Sequence, residues 1–260
     1  MKSAGNFLNS SIGRKILMAV SGLVLIGFVV GHLVGNLQVF NGPDRLNGYA
    51  AFLHNTGPIL WIARLGVIAA LLVHIWAAVV LTLENRAARG PEQYGLNHTI
   101  RATLASRTMR LTGLVVLAFL VYHLAHFTWG FAQADTFKGS LQQVVLGEDY
   151  KVAGLVAVKA GAVVDDVYNM VVLGFQSPLV SLFYIIAVGL LSFHLLHGFD
   201  SMFQTLGLRS SRWARGLRRA SVLFCVVYFL ANLTMPAAVL AGKLVPQNPQ
   251  PAVTQAAALK

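Results

Sequence analysis

The sequence predicts an all-α membrane protein of five transmembrane helices with its N-terminus in the cytoplasm. Three observations carry that prediction. Hydrophobic residues make up 56% of the 260 residues and charged residues 11%, more apolar surface than a water-soluble chain can hide. Five apolar runs each reach the length of about 20 helical residues that a bilayer core requires. Lys and Arg gather in alternate connections between those runs, as they do in membrane proteins with a fixed orientation.

The first run extends from Ile16 to Phe40. It follows Lys2, Arg14 and Lys15 as the core of a signal peptide would, but it is longer than such a core and lacks a small-residue exit, so it reads as a span. The second runs from Ile59 to Leu83, the third from Leu111 to Phe131, the fourth from Pro178 to Phe203 and the fifth from Ala220 to Ala241. Pro58 and Pro178 stand where the second and fourth begin, a position at which the missing N–H costs nothing. Residues 132–177 form a long acidic connection with Asp135, Glu148, Asp149, Asp165 and Asp166. Its apolar piece from Val152 to Val164 is too short to span, and the connection is expected on the outer face, partly as an interfacial helix. Residues 1–243 thus make one membrane domain, and the Pro- and Gln-rich residues 244–260 a disordered tail. No internal repeat stands out.

The N-terminal tail and the loops after the second and fourth spans hold thirteen of the 20 Lys and Arg. The opposite side holds seven, with six of the nine acidic residues. The N-terminus is therefore expected inside and the C-terminus outside. The formal charge of +11 does not read as nucleic-acid binding, because the basic residues lie between apolar runs and form no patch with interleaved aromatics. The lipid bilayer is the expected partner. A single cysteine, Cys225, excludes an intrachain disulfide and any multi-cysteine metal site, and no C-x-x-C-H is present to attach a haem covalently.

Ionisable residues inside spans are costly and usually functional, which directs attention to the eight histidines,. His98 and His54 fall in loops. His32, His74, His123, His126, His194 and His197 fall within the first four spans. His32 and His123, both on outward-running spans, lie about 12 Å below the outer ends. His74 and His194, on inward-running spans, lie about 14 Å from the inner ends. Two pairs of imidazoles, each at one depth and on different helices, meet the requirement for bis-histidine ligation of two stacked b haems in a bundle of the first four helices. His126 and His197, three residues beyond His123 and His194, suit hydrogen bonds to haem propionates or a quinone, and either could exchange roles with its neighbour. Gly27, Gly31 and Gly35 form a stripe that admits a partner helix or a flat ring, and Gly35 shares the face of His32.

The segments GHLVGN (31–36), LVHIW (72–76), ASRTMRLTG (105–113), VYHLAHFTW (121–129), DVYNMVVLGF (166–175) and SFHLLHGFDSMFQTLGL (192–208) together resemble the di-haem cytochrome b558 family. Members of that family anchor succinate dehydrogenases and fumarate reductases in the bacterial cytoplasmic membrane, with both haems on one five-helix chain. The resemblance implies His32, His74, His123 and His194 as the iron ligands, with His74 and His194 on the haem nearer the cytoplasm and His32 and His123 on the outer one. It also implies a flavoprotein subunit and an iron–sulfur subunit docked on the cytoplasmic face, and menaquinone or another quinone as substrate toward the outer end. Succinate chemistry would not lie on this chain. His54 and Arg64 are the candidates near a quinone, and Arg64 could equally pair with a haem propionate or snorkel to headgroups. Two other readings stand beside this one. One is the b-type cytochrome of a hydrogenase or formate dehydrogenase, and the other a transporter with a histidine-lined path.

Overall fold

The computed structural model describes residues 9–90 and 103–247. Lys2, His98, Arg101 and residues 248–260 of the expected tail lie outside the described residues. Helix α1 is Ser11–Asn36, its first turn capped by Ser10 Oγ, which accepts the Gly13 N–H at 2.9 Å. A 3₁₀ turn, Leu37–Asn41, leads to α2, Pro43–Asn55, which opens on Pro43 and Asp44 as a helix N-terminus favours,. Helix α3 is Pro58–Arg89, and its last turn carries Arg86 and Arg89 against the negative end of the helix,. Helix α4 is Leu104–Phe127, α5 Val167–Gln176, α6 Pro178–Thr205 and α7 Ala214–Leu240.

Helices α1, α3, α4, α6 and α7 are long and apolar enough to cross a membrane. Only 6 to 28% of each apolar window is buried within the protein. Exposed side chains such as Leu65, Leu72, Leu114, Leu179 and Leu223 would be untenable in water over so large a surface, so the chain is a multi-pass membrane protein.

The third span ends at Phe127, earlier than the apolar run to Phe131 implies. Gly130 adopts φ 75° and turns the chain, and the Phe131 N–H reaches back to the Ala125 carbonyl at 2.7 Å,. Trp129 and Phe131 therefore lie beyond the helix.

Chain packing defines two units. The first comprises Met1–Gly31, Trp61–Gly113 and Leu190–Tyr228. Its described residues are largely helical, and among them Arg14 pairs with Glu84 and Arg218 with Asp200. Phe199 packs edge-on against Phe224, which stacks on Tyr228.

The second unit comprises His32–Leu60, Leu114–Gly189 and Phe229–Lys260. Here the stretch expected to contribute an interfacial helix forms strands in its apolar part. β1 (Val144–Val145) pairs antiparallel with β4 (Val163–Val164), and β2 (Tyr150–Val152) with β3 (Leu155–Val158). The valines are β-branched, and Ala153–Gly154, both at positive φ, close a two-residue hairpin between Val152 and Leu155,. Val144, Leu146, Tyr150, Val158 and Val164 bury one another against Tyr49 and Phe52 of α2. Helix α2, absent from the sequence expectation, thus supports the strands.

The helix in this connection is α5, which Asp166 caps by accepting the Asn169 N–H at 2.9 Å,. Buried Asn47 of α2 accepts the Tyr168 N–H at 2.8 Å. Tyr168, Val172 and Phe175 pack with Val39, Leu46, Tyr184, Met235 and Val239. Residues Leu244 to Gln247, the start of the segment composition marks as disordered, are held on α5. The Gln247 N–H donates to Asn169 Oδ1 at 2.8 Å, and Asn169 Nδ2 donates to the Gln247 carbonyl at 2.7 Å.

A Cβ on Gly48 would stand 2.7 Å from Tyr150 Cβ, too close for either backbone to absorb. Gly48→Ala is therefore expected to loosen the strands from α2 and destabilise the second unit by about 1–3 kcal/mol. Faster proteolytic cleavage within residues 132–166 would report it.

Candidate functional site

The structure brings together two histidine pairs, each within one unit. In the first unit His74 of α3 faces His194 of α6, with ring centres 6.4 Å apart and ring planes at 62°. In the second, His32 of α1 faces His123 of α4, with centres 5.7 Å apart and planes at 89°. These are the pairs that depth along the spans predicts. Their places in the helices match too. His74 and His194 each lie sixteen residues beyond the proline that opens their helix, and His32 and His123 each lie four before the last residue of theirs.

Neighbouring helices fix the state of the first pair. His74 Nδ1 lies 3.2 Å from the Met18 carbonyl and 3.4 Å from Ser21 Oγ. A carbonyl only accepts, and the Ser21 hydroxyl donates its own proton to the Leu17 carbonyl at 2.7 Å. Nδ1 therefore carries the hydrogen, and Nε2 keeps its lone pair. His194 repeats the arrangement. Its Nδ1 lies 3.4 Å from Thr112 Oγ1, whose hydroxyl donates to the Met109 carbonyl at 3.1 Å, so Nδ1 carries the hydrogen here too,.

A glycine lies beside each ring. A Cβ on Gly22 would lie 3.4 Å from His74 Cε1, and one on Gly113 would lie 3.3 Å from His194 Cε1.

In the second unit a directed chain of hydrogen bonds does the same for His123. Gln133 Oε1, an acceptor, lies 2.7 Å from His126 Nε2, which must donate,. His126 Nδ1 is then an acceptor and takes the hydroxyl proton of Tyr184 at 3.0 Å. Tyr184 Oη lies 3.4 Å from His123 Nδ1. With its one proton directed at His126, it accepts from His123, so the lone pair of His123 stands on Nε2. Phe119, Phe127 and Tyr184 wall the His123 ring.

The remaining sequence candidates fall elsewhere. His126 is 2% exposed and uses both nitrogens within the protein, which leaves none for a propionate or quinone. His197 lies one turn beyond His194, where the charges of Asp200 and Arg218 act on it. Gly35 is covered by Tyr49, whose hydroxyl would stand 2.6 Å from a Cβ there, whereas Gly27 and Gly31 adjoin open space. His54 lines a hollow of about 240 Å³ with Lys138, Gln143 and Asp165. The Lys138 ammonium, bonded to Asp165 at 2.7 Å, holds that carboxyl below its ordinary range. The Arg64 guanidinium lies 5.1 Å over the Trp61 ring.

Ser21, Thr112, Met18, Met109, Tyr184 and Gln133 escaped the sequence reading. A signal for four of them is present. M-x-x-[ST]-G occurs at 18–22 and again at 109–113, and each glycine precedes a paired histidine, His32 or His123, by ten residues. This short spaced repeat is invisible to hydropathy because serine and threonine in a span look like ordinary small residues.

A metal–imidazole bond of about 2 Å, with the ring centre about 1 Å further on, sets two imidazoles on opposite faces of one iron about 6 Å apart between centres. Both pairs fit that spacing. Among the described residues no three His, Cys, Asp or Glu side chains converge on a point. A bare ion would thus find two protein ligands at each pair, whereas a haem iron, already held by four ring nitrogens, needs only two. No family model, characterised protein or solved structure matches the chain, so function has to be read from this geometry.

Proposed function

We propose that the chain is the membrane anchor and electron-transfer subunit of a succinate:quinone oxidoreductase and holds two b haems, one between His32 and His123 and one between His74 and His194. The observation that carries this reading is the pair of two-imidazole sites. Each is drawn from two helices, and in three of the four rings an identified hydrogen-bond partner leaves Nε2 as the metal donor,. Bound there, each haem would supply a one-electron iron couple inside a layer that otherwise has no carrier. The chain's own groups orient the ligands. The Met18 and Met109 carbonyls and the Ser21 and Thr112 hydroxyls hold one pair, Tyr184 holds His123, and the apolar spans keep water away.

In this reading the N-terminus, the start of α4 with Arg107 and Arg110, and the segment from Arg209 to Arg219 that leads into α7 face the bacterial cytoplasm, and the C-terminus lies outside,. The exposed Arg209, Arg212, Arg215 and Arg219 suit the docking of an iron–sulfur subunit and its flavoprotein partner. Menaquinone or another quinone is the membrane substrate. The direction of the reaction follows the quinone's potential and the membrane voltage, which is worth about 2.3 kcal/mol per charge per 100 mV.

Protein purified from haem-replete cells and reduced with dithionite is expected to show a b-type spectrum, with two haems per chain by pyridine haemochrome. A colourless preparation overturns the reading. Co-purification with a subunit bearing covalent flavin separates a succinate:quinone oxidoreductase from a hydrogenase or formate dehydrogenase cytochrome, which would use the same imidazole pairs.

A further inference from the structure

A C-terminal strap and the hydrogen-bond relay to His123 meet the two ends of one short helix, α5, all within the second unit. After α7 ends, Gly242 at φ 67° reverses the chain, and residues 244–247 return to the first turn of α5. Leu244 packs on the buried cluster that contains Tyr168. Tyr168 Oη donates to the Val245 carbonyl at 3.3 Å, and the Asn169 amide pairs with both main-chain groups of Gln247. Asn169 is 6% exposed and is itself fixed by the Asp166 carboxylate, so it offers the strap one geometry. A side-chain amide facing a peptide group satisfies a donor and an acceptor on each partner at once.

At the other end of α5, Gly174 lies against His126. A Cβ on Gly174 would stand 2.9 Å from His126 Nε2 and 3.1 Å from Phe127 Cε1. Phe175 packs on Phe127 and edge-on against Tyr184, with ring centres 5.6 and 5.0 Å away. His126 and Tyr184 are the two side chains through which the relay reaches His123. The ten residues of α5 make a rod of about 15 Å, so a displacement of its first turn reaches Gly174. The relay has a single sense. His126 Nε2 has to donate to Gln133 for Nδ1 to accept from Tyr184,. A ring free to tilt exchanges its hydrogen between the two nitrogens, and Tyr184 then turns its proton toward His123.

We propose that residues 244–247 form a latch that holds α5 in place and, through Gly174, keeps His126 Nε2 aimed at Gln133. Asn169 and Gly174 are thereby positioning residues for His123. The consequence for a bound haem rests on the ligation proposed for this pair, whereas the latch itself belongs to the haem-free chain.

The test is nitrogen-15 NMR of the full haem-free chain in nanodiscs, with its histidines labelled. Wild-type His126 is expected in one tautomer, with the hydrogen on Nε2. Gln247→Pro removes the N–H paired with Asn169 and leaves α5 untouched, and Asn169→Leu removes the whole clamp. Each should leave His126 in a mixture of tautomers, with hydrogen exchange of the Val172 to Gln176 amides about tenfold faster. Gly174→Ala should disturb His126 with the strap in place. Val245→Ala keeps the main chain of the strap and should match wild type, and the His74 and His194 signals should be unchanged throughout. If His126 holds its wild-type tautomer in both clamp variants while α5 exchanges faster, the strap merely fastens α5 and the proposal is overturned. An undisturbed His126 in Gly174→Ala overturns it as well. So does an equal change at His74 or His194, which means general loosening. If Asn169→Leu does not fold, Gln247→Pro is read against the same criteria. None of these signals needs haem, so the outcome stands apart from the haem assay.

Discussion

His74→Ala is expected to cost the protein one of the two haems proposed for it, halving the reduced b-type absorbance, and His194→Ala is expected to do the same. Each site offers only two imidazoles, from different helices and with ring centres 6.4 Å apart in this pair, so removing one would leave a bound iron a single protein ligand. Among the described residues no group of three ligating side chains gathers there. His197 is on the same helix one turn away, beside the Arg218–Asp200 ion pair. The other haem should survive, because His32 and His123 belong to a separate unit with its own packing. His32→Ala and His123→Ala should give the converse. The two kinds of variant are told apart by which potentiometric wave remains. If any one of the four substitutions removed both haems, or if His126→Ala removed one while His123→Ala did not, the pairing would be wrong.

Tyr184→Phe is expected to raise the potential of the haem proposed between His32 and His123 while leaving the other wave in place. The Tyr184 hydroxyl is the link between His123 Nδ1 at 3.4 Å and His126 Nδ1 at 3.0 Å. An oxygen accepting from Nδ1–H makes the imidazole a stronger donor and favours the ferric state, so its removal favours the ferrous state. A tenfold change in that equilibrium is about 59 mV for one electron, and the shift should be of this order. The substitution also strands two buried ring nitrogens, at about 1–3 kcal/mol each, so retention of that haem should weaken by about 10–100-fold. Nitrogen-15 NMR of the haem-free chain checks the bond directions independently. Wild-type His123 should carry its hydrogen on Nδ1 and His126 on Nε2. A wild-type His123 protonated on Nε2 would contradict the chain of donors.

Much of this was legible in the sequence. Span existence follows from apolar length, which depends on local composition alone, and the histidine pairs follow from counting residues along helices of fixed rise. What was not legible depends on backbone turns and long-range partners. Trp129 and Phe131 prolong the apolar run of the third span, but Gly130 ends the helix before them. The valines from Val152 to Val164 read equally as a short helix or as strands, and the hairpin at Ala153–Gly154 together with cover from Tyr49 and Phe52 decides for strands. Gly35 shares a face with His32, yet Tyr49 of α2, a helix the hydropathy pattern does not reveal, fills the space beside it. Tyr184 lies 61 positions from His123, a partnership that no window along the sequence can show.

The contact of the His74 and His194 rings with Gly22 and Gly113 has a kinetic consequence. Each ring lies beside a glycine and is held at Nδ1, His74 by the Met18 carbonyl and His194 by the Thr112 hydroxyl, so it cannot turn over without breaking that bond,. If these rings bind iron as proposed, ligands held in this way would keep the same place in both oxidation states. Little nuclear rearrangement would then accompany each electron exchange, and the rate would be left to driving force and tunnelling distance.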